Sequence, residues 1–288
     1  MRRSTAALLL GALAFLPQQA TSAAGQQEVD LKLVLAVDVS GSIDNEELQL
    51  EREGTADAFA DPEVMRAIQN GSLGRIAVAM VDFSSDPYNK IVADWHIIRD
   101  RPSALQFADF VRKIPRSVGH RTSISSALEL GTVMLESSDK DITSSRNVID
   151  VSGDGPNNWG NHMQPAHDRT VADGIVINGL PVMDQQANGY FPDLDKYYAA
   201  CVAGGRGSFV IVVRNYRDYA AGMRRKLVLE ISRNGSPTQQ KALANERLLT
   251  RVAAVGGPNA APQLLRPGRN EFSNQCDNVT GPFSFGQF

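Results

Sequence analysis

Three oxygen-bearing side chains at alternate positions, Asp38, Ser40 and Ser42, are the first in this sequence whose types and spacing suit a chemical role. A carboxylate and two hydroxyls are hard oxygen ligands, the kind that Mg²⁺ binds in proteins. They follow the apolar run LKLVLAV at residues 31–37, which is typical of a strand buried on both faces. The segment therefore predicts part of a cation site at the carboxyl end of a buried strand.

Two later residues are candidates to complete that site. Thr122 stands at the start of a predicted helix, and Asp154 follows a predicted strand at residues 146–151. Parallel strands bring the loops at their carboxyl ends to one edge of a sheet, so we expect all five side chains to converge. Five oxygen groups that include two carboxylates predict Mg²⁺, with Mn²⁺ or Ca²⁺ as alternative cations. An open position on such a cation would attract a carboxylate from a partner.

The elements that must position these residues alternate along the chain. Strands are predicted at residues 31–38, 75–83, 91–97, 146–151, 174–180 and 207–213, and helices at 44–60, 102–114, 122–135, 165–173, 190–202 and 216–231. The second and third strands are joined by a segment too short for a crossover helix, so they form an antiparallel hairpin. The predicted fold class is α/β: a doubly wound, mostly parallel six-stranded sheet with one antiparallel edge strand and helices on both faces.

The motifs DVSGS at residues 38–42 and SGDG at residues 152–155, with Thr122 between them, resemble the metal-ion-dependent adhesion site of von Willebrand factor A-type domains. The resemblance spans residues 29–233 and implies a Rossmann-like fold. It also implies roles for the five residues, with Ser40, Ser42 and Thr122 as direct metal ligands and Asp38 and Asp154 acting at least partly through water. One departure is the Ser-Gly pair before Asp154, where many such domains have an apolar residue and Thr.

A narrower resemblance is to a bacterial exported family of unknown function built on this domain. The segments that carry it are SGDGPNN at 152–158, INGLP at 177–181, the YY…CVAGG…SFV run at 197–210 and RRKLVLEI at 224–231. The residues after 233 lie outside the resemblance. We interpret residues 234–288 as a C-terminal extension, with a helix over 239–255 followed by a loosely ordered tail rich in Pro, Gly and Asn.

Residues 1–24 have the pattern of a signal peptide. Arg2 and Arg3 precede the apolar stretch 7–16, and small residues follow at 20–24. A stretch of that length is too short to cross a bilayer, and no later segment is long and apolar enough to do so. We therefore expect an exported protein without a membrane span, periplasmic or extracellular after cleavage.

Charge and cysteine content narrow the classes of partner and compartment. The formal net charge of −3 argues against a nucleic-acid partner, which favours a basic face. In an oxidising compartment Cys201 and Cys276 are compatible with one disulfide. They are equally compatible with two unpaired thiols, because sequence does not fix the distance between them.

Several residues keep a structural alternative at this stage. Asp38 and Ser42 could simply cap the first helix, and Asp82 either faces the site or is a turn carboxylate. Just past Asp154, three residues stand where a partner would dock: Asn157, Asn158 and Trp159. An exposed Trp suits recognition, whereas a buried Trp would have a packing role.

The leading functional hypothesis is a non-enzymatic, cation-dependent binding module whose protein partner offers an Asp or Glu to the metal. Its basis is a full ligand set without an accompanying nucleophile. The alternative from another class is a metal-assisted hydrolase, for which Asp82 or His120 are the candidate bases. A third hypothesis is a structural domain with a vestigial site.

Overall fold

The computed structural model describes residues 26–85, 88–117, 119–184, 191–232, 262–268, 272 and 276–277. Its strands are β1 Gln27–Val29, β2 Lys32–Asp38, β3 Ile76–Phe83, β4 Lys90–Ile98, β5 Ile142–Ser144, β6 Asn147–Gly153, β7 Val176–Pro181, β8 Val210–Val212 and β9 Gln263–Leu265. Its α-helices are α1 Asn45–Ala60, α2 Pro62–Gln69, α3 Arg101–Arg112, α4 Ile124–Ser137, α5 Met163–Ala172, α6 Leu194–Tyr197, which continues as a π-helical turn, and α7 Tyr219–Ile231.

A seven-stranded sheet forms the centre of the domain, in the order β4-β3-β2-β6-β7-β8-β9. The five inner strands are parallel, and β4 and β9 pair antiparallel with their neighbours at the two edges. The chain leaves β2 toward β3 on one side and later returns to β6 on the other side. The strand order therefore reverses at β2, the position where doubly wound sheets bind ligands.

The alternation of side chains along β2 explains why helices cover both faces of the sheet. All seven β2 residues are buried. Leu33, Leu35 and Val37 pack in a cluster with α1, α2, α3 and α7. Val34 and Ala36 belong to the opposite cluster, with α4 and α6. A strand flanked by helices on both faces needs apolar residues at every position, which is why the sequence reads as a continuous apolar run.

The mostly parallel α/β prediction is confirmed, and all six predicted strands are present, including the β3–β4 hairpin. The strand count is wrong by one, because β9 adds a seventh strand to the sheet. Three residues are too short to show a periodic pattern, and it is backbone pairing with β8 that makes them a strand. Sequence reasoning also missed α2, which begins at Pro62 directly after α1 ends. The predicted signal peptide and the helix over 239–255 lie outside the described residues.

The described part of the chain contains no helix with both the length and the apolar character needed to span a membrane. The sulfur atoms of Cys201 and Cys276 are bonded to each other, which ties the segment after residue 262 to the domain.

A buried ionic network lies between β6, β7 and α7. Lys226 pairs with Asp150, and Arg146 pairs with Glu230. Asn178 joins the two pairs by donating to both carboxylates. Two positive and two negative charges thus neutralise each other where little water can reach them.

Replacing Asp150 with Ala should lower the free energy of unfolding by about 3–5 kcal/mol, because the Lys226 ammonium would remain buried without its partner. Urea unfolding followed by far-UV circular dichroism measures the loss. The double variant Asp150→Leu with Lys226→Met removes both charges and should be close to the parent in stability. A double variant as unstable as Asp150→Ala would contradict this account.

Candidate functional site

The loop after β2 holds the first three candidate residues. Asp38 ends the strand, and its Oδ1 accepts a hydrogen bond from the backbone N–H of Ser40 at 2.8 Å. Helix α1 is capped by Asp44, whose side chain accepts hydrogen bonds from two backbone N–H groups. In return, the Glu47 side chain accepts a hydrogen bond from the backbone N–H of Asp44. The alternative in which Asp38 and Ser42 cap this helix is therefore wrong. Their side chains are left for another role.

Hydrogen bonds connect the candidate side chains at the carboxyl edge of the sheet. Thr122 Oγ1 donates to Ser40 Oγ at 3.1 Å, and Ser40 Oγ lies 3.2 Å from Ser42 Oγ. Ser42 Oγ donates to Asp154 Oδ1 at 2.8 Å. The remaining carboxylate oxygen of Asp38, Oδ2, is buried and has no hydrogen-bond partner in the part of the chain that the structure describes. The structure thus brings all five predicted residues together, and their role as metal ligands remains a prediction.

The two carboxylates of this cluster are in an environment that disfavours their charge. Burial, and then the nearby charge of Asp154, raise the pKa of Asp38 well above its usual value. Burial also raises the pKa of Asp154 to about 6, although the hydrogen bond from Ser42 opposes the shift. An unpaired buried carboxylate is costly, and a bound cation would remove that cost.

Thr122 is held in place from both sides by backbone contacts. Its N–H donates to Asn158 Oδ1 at 2.9 Å, and its carbonyl accepts from the N–H groups of Asn158 and Trp159. The segment just before it is fixed as well. The N–H of Gly119 donates to Val39, and a Cβ on this glycine would lie 2.0 Å from Ser84 Oγ, so only glycine fits there.

The three residues predicted to face a partner take different positions. Asn157 and Asn158 are half-buried, and their side-chain oxygens accept backbone hydrogen bonds from Ser125 and Thr122. They fix the loop geometry of the site. Trp159 is 44% exposed, so the alternative in which it is buried for packing is wrong. Contact of these residues with a partner remains a prediction.

Asp82 takes neither of the two positions considered for it. It lies within β3, is fully buried and forms an ion pair with Arg52 of α1 at 2.5 Å. It is thus neither a turn carboxylate nor a residue of the site edge, because strand alternation turns it toward α1. His120 is exposed, and its ring packs edge-on against Tyr88 at 5.3 Å between centroids.

Sequence reasoning missed a buried polar cluster on the α1 side of the sheet. Glu51 is 1% exposed, and neither of its carboxylate oxygens has a hydrogen-bond partner within the described ranges. Burial raises the pKa of Glu51 well above its usual value, with Arg52 opposing the shift. The hydroxyls of Thr55 and Tyr216 are also buried, and no described residue forms a hydrogen bond with them. The sequence contained a signal for two of these residues, since Glu51 and Thr55 lie on the same face of α1 as the buried Leu48.

Within the described residues, no three His, Cys, Asp or Glu side chains are grouped so that they could hold a metal ion. The cluster described above is of a different kind, because it joins two carboxylates to three hydroxyls. Hard cations accept such oxygen sets.

The sequence matches a family described as "Protein of unknown function (DUF1194)" over residues 28–235. The chain belongs to this family. No curated protein matches the sequence.

Among solved structures, one similar chain is proximal thread matrix protein 1 from the mussel byssus. It has 14% identity and a TM-score of 0.51, and the match covers 82% of this chain and 63% of that one. The same mussel protein with a zinc-occupied MIDAS motif gives 14% identity and a TM-score of 0.51, covering 88% and 71%. A von Willebrand factor type A protein from Catenulispora acidiphila gives 14% identity and a TM-score of 0.49, and the match covers 71% of this chain and 43% of that one.

This chain thus spans less than two thirds of the length of the first structures it matches. The family member described here has the von Willebrand A-type fold, with its strand-order reversal at the edge where the candidate site lies. At these identities the likeness concerns the fold alone.

In metal-free protein, Asp154→Asn should raise the free energy of unfolding at neutral pH by about 2–3 kcal/mol. The folded-state pKa of Asp154, about 6, lies above the unfolded value near 3.8. The folded state therefore binds the proton more tightly. The associated stability is fully present below the unfolded pKa and is lost as pH rises through about 6.

Urea unfolding in EDTA at pH 7.5 and pH 5 provides the measurement. When the pH is lowered from 7.5 to 5, the free energy of unfolding of the parent protein should rise relative to that of Asp154→Asn, in which this contribution is absent. The same pH dependence in both proteins would contradict the prediction.

Proposed function

We propose that this protein is an exported module that binds a partner protein through a divalent cation, Mg²⁺ in the first instance. The residues that would hold the cation are Asp38, Ser40, Ser42, Thr122 and Asp154. The observation that carries the proposal is Asp38 Oδ2, a buried carboxylate oxygen that has no hydrogen-bond partner among the described residues and lies beside a connected set of hydroxyls. Buried charges in proteins are paired or coordinate metals.

The residues fit a hard cation by type and by their present contacts. Their hydroxyls already lie within 3.2 Å of one another or of a carboxylate, so little rearrangement is needed for them to face one ion. Hydroxyls are neutral ligands, so the bound cation would stay attractive to a further carboxylate. The residues of this chain would hold and orient that cation, and an Asp or Glu of the partner would complete its coordination.

The surrounding loops support a docking role. Thr122 is fixed by three backbone hydrogen bonds, and Gly41 donates a further one to the carbonyl of His120 at 3.0 Å. A site on a rigid edge loses little entropy when a partner binds. The zinc-occupied MIDAS motif of the mussel protein supports divalent-cation binding in this fold.

The metal-assisted hydrolase hypothesis loses one of its two candidate bases, because Asp82 is buried in an ion pair with Arg52. His120 remains. Turnover of phosphoester or peptide substrates that disappears with EDTA would favour this alternative over a binding module.

Isothermal titration with Mg²⁺ should show one site in the full chain and an affinity at least about tenfold lower in Asp38→Ala. Thr122→Val keeps the side-chain shape but removes a hydroxyl, and it should also weaken binding. Asp94→Ala removes an exposed carboxylate of β4 and serves as the matched control. Equal Mg²⁺ affinity in the parent and Asp38→Ala would refute the proposed metal site.

Capture of a native protein partner should depend on the cation. A pull-down from the native compartment should retain the partner in Mg²⁺ and release it in EDTA, and Asp38→Ala should capture nothing under either condition. Retention in EDTA, with unchanged melting temperature on metal removal, would point instead to a structural domain with a vestigial site.

A further inference from the structure

An arginine and a tryptophan form an exposed pair directly beside Thr122. The guanidinium carbon of Arg121 lies 5.4 Å from the ring centroid of Trp159, within the range of a cation–π contact. Arg121 is exposed, and Trp159 is 44% exposed. In the described part of the chain, the Arg121 guanidinium forms no ion pair with a carboxylate.

Both members of this pair are fixed to the candidate metal site through Thr122. Arg121 precedes Thr122 in the chain, so their Cα atoms are about 3.8 Å apart. The Trp159 N–H donates to the Thr122 carbonyl at 3.1 Å. The Arg121 carbonyl accepts from Ser84 Oγ at 2.7 Å. The positive group is therefore held close to the position where the cation would bind.

Negative charge also lies near the candidate site. Glu47 in the first turn of α1 and Asp184 after β7 both contribute to the raised pKa of Asp154, so their carboxylates lie near it. Helix α1 belongs to one layer of the domain, and α4, which follows Arg121, belongs to the other. A partner at the cation would therefore meet the Glu47 carboxylate near α1 and the Arg121 guanidinium near α4.

We propose that Arg121, supported by Trp159, binds a second carboxylate of the same partner, so that the partner is an acidic segment with two carboxylates close together. This inference rests on the proposed function, in which the first carboxylate reaches the cation. A guanidinium stacked on an indole keeps its N–H edge free for a carboxylate. An aromatic partner group would instead have to displace Arg121 from the Trp159 ring.

Arg121 and Thr122 are neighbours in the chain, so the two partner carboxylates are expected to be close together as well. In an extended segment, residues two apart point to the same face and lie roughly 7 Å from each other. That separation suits one group at the cation and another at the neighbouring arginine. The preferred partner sequence is therefore Asp-Xaa-Glu or Asp-Xaa-Asp in extended form.

Two matched peptides test the inference, acetyl-Gly-Gly-Asp-Gly-Glu-Gly-Gly-amide and the same peptide with Gln in place of Glu. Their binding to the full chain in Mg²⁺ and in EDTA is measured by ¹⁵N NMR titration, with the Trp159 indole N–H and Arg121 Nε–H signals as local probes. The parent should bind the Asp-Gly-Glu peptide about fivefold more tightly than the Asp-Gly-Gln peptide. Added KCl should reduce this preference.

Arg121→Gln should bind the two peptides equally while its Mg²⁺ affinity is unchanged. Arg101→Gln, which removes an exposed arginine at the opposite edge of the sheet, should keep the parent preference. Equal binding of the two peptides by the parent, or a preference that survives in Arg121→Gln, would overturn this inference and leave cation-dependent docking intact. Failure of both peptides to bind in Mg²⁺ would overturn the proposed docking function and this inference with it.

Discussion

Two carboxylates held together in a poorly solvated place are the constraint on which this structure depends. Asp38 ends β2 and Asp154 follows β6, and these strands are adjacent and parallel. Sheet pairing therefore fixes their proximity before any side chain contributes. Burial of both groups makes their charges costly, and the neighbouring hydroxyls stabilise them only in part. Folding of the sheet thus creates an electrostatic demand that a divalent cation would meet.

The loops around this point are built for rigidity. The Thr122 segment is held by the β2 loop, by Ser84 and by the loop after β6. Gly119 allows a backbone approach that any side chain would block. Asn157 and Asn158 contribute in the same way, since their side chains bind backbone N–H groups. A site formed by the loops after β2 and β6 and by the loop between α3 and α4 keeps its geometry only if such cross-links exist.

Buried polar side chains in the core contribute to the electrostatic environment of the site. Asp82 is neutralised by Arg52, whereas the Glu51 carboxylate has no hydrogen-bond partner among the described residues. On the far side of the sheet, the buried hydroxyl of Tyr198 likewise has no partner in the described part of the chain. A Cβ on Gly153 would lie 2.9 Å from Asp38 Oδ2 and 3.1 Å from the Tyr198 hydroxyl. The absence of a side chain at Gly153 thus leaves room beside the Asp38 carboxylate.

The sequence by itself determined the type of fold and the chemical character of the site. Continuous apolar runs such as β2 indicate strands covered on both faces. Oxygen-bearing residues that directly follow such runs are then expected to meet at the carboxyl edge of the sheet. Tertiary structure alone decided which polar residues face the site. Asp82 and Asp38 both lie near strand ends, yet strand alternation turns Asp82 toward Arg52. Pairing of Arg121 with Trp159 and of β9 with β8 also depends on contacts between distant segments, which no local periodicity records.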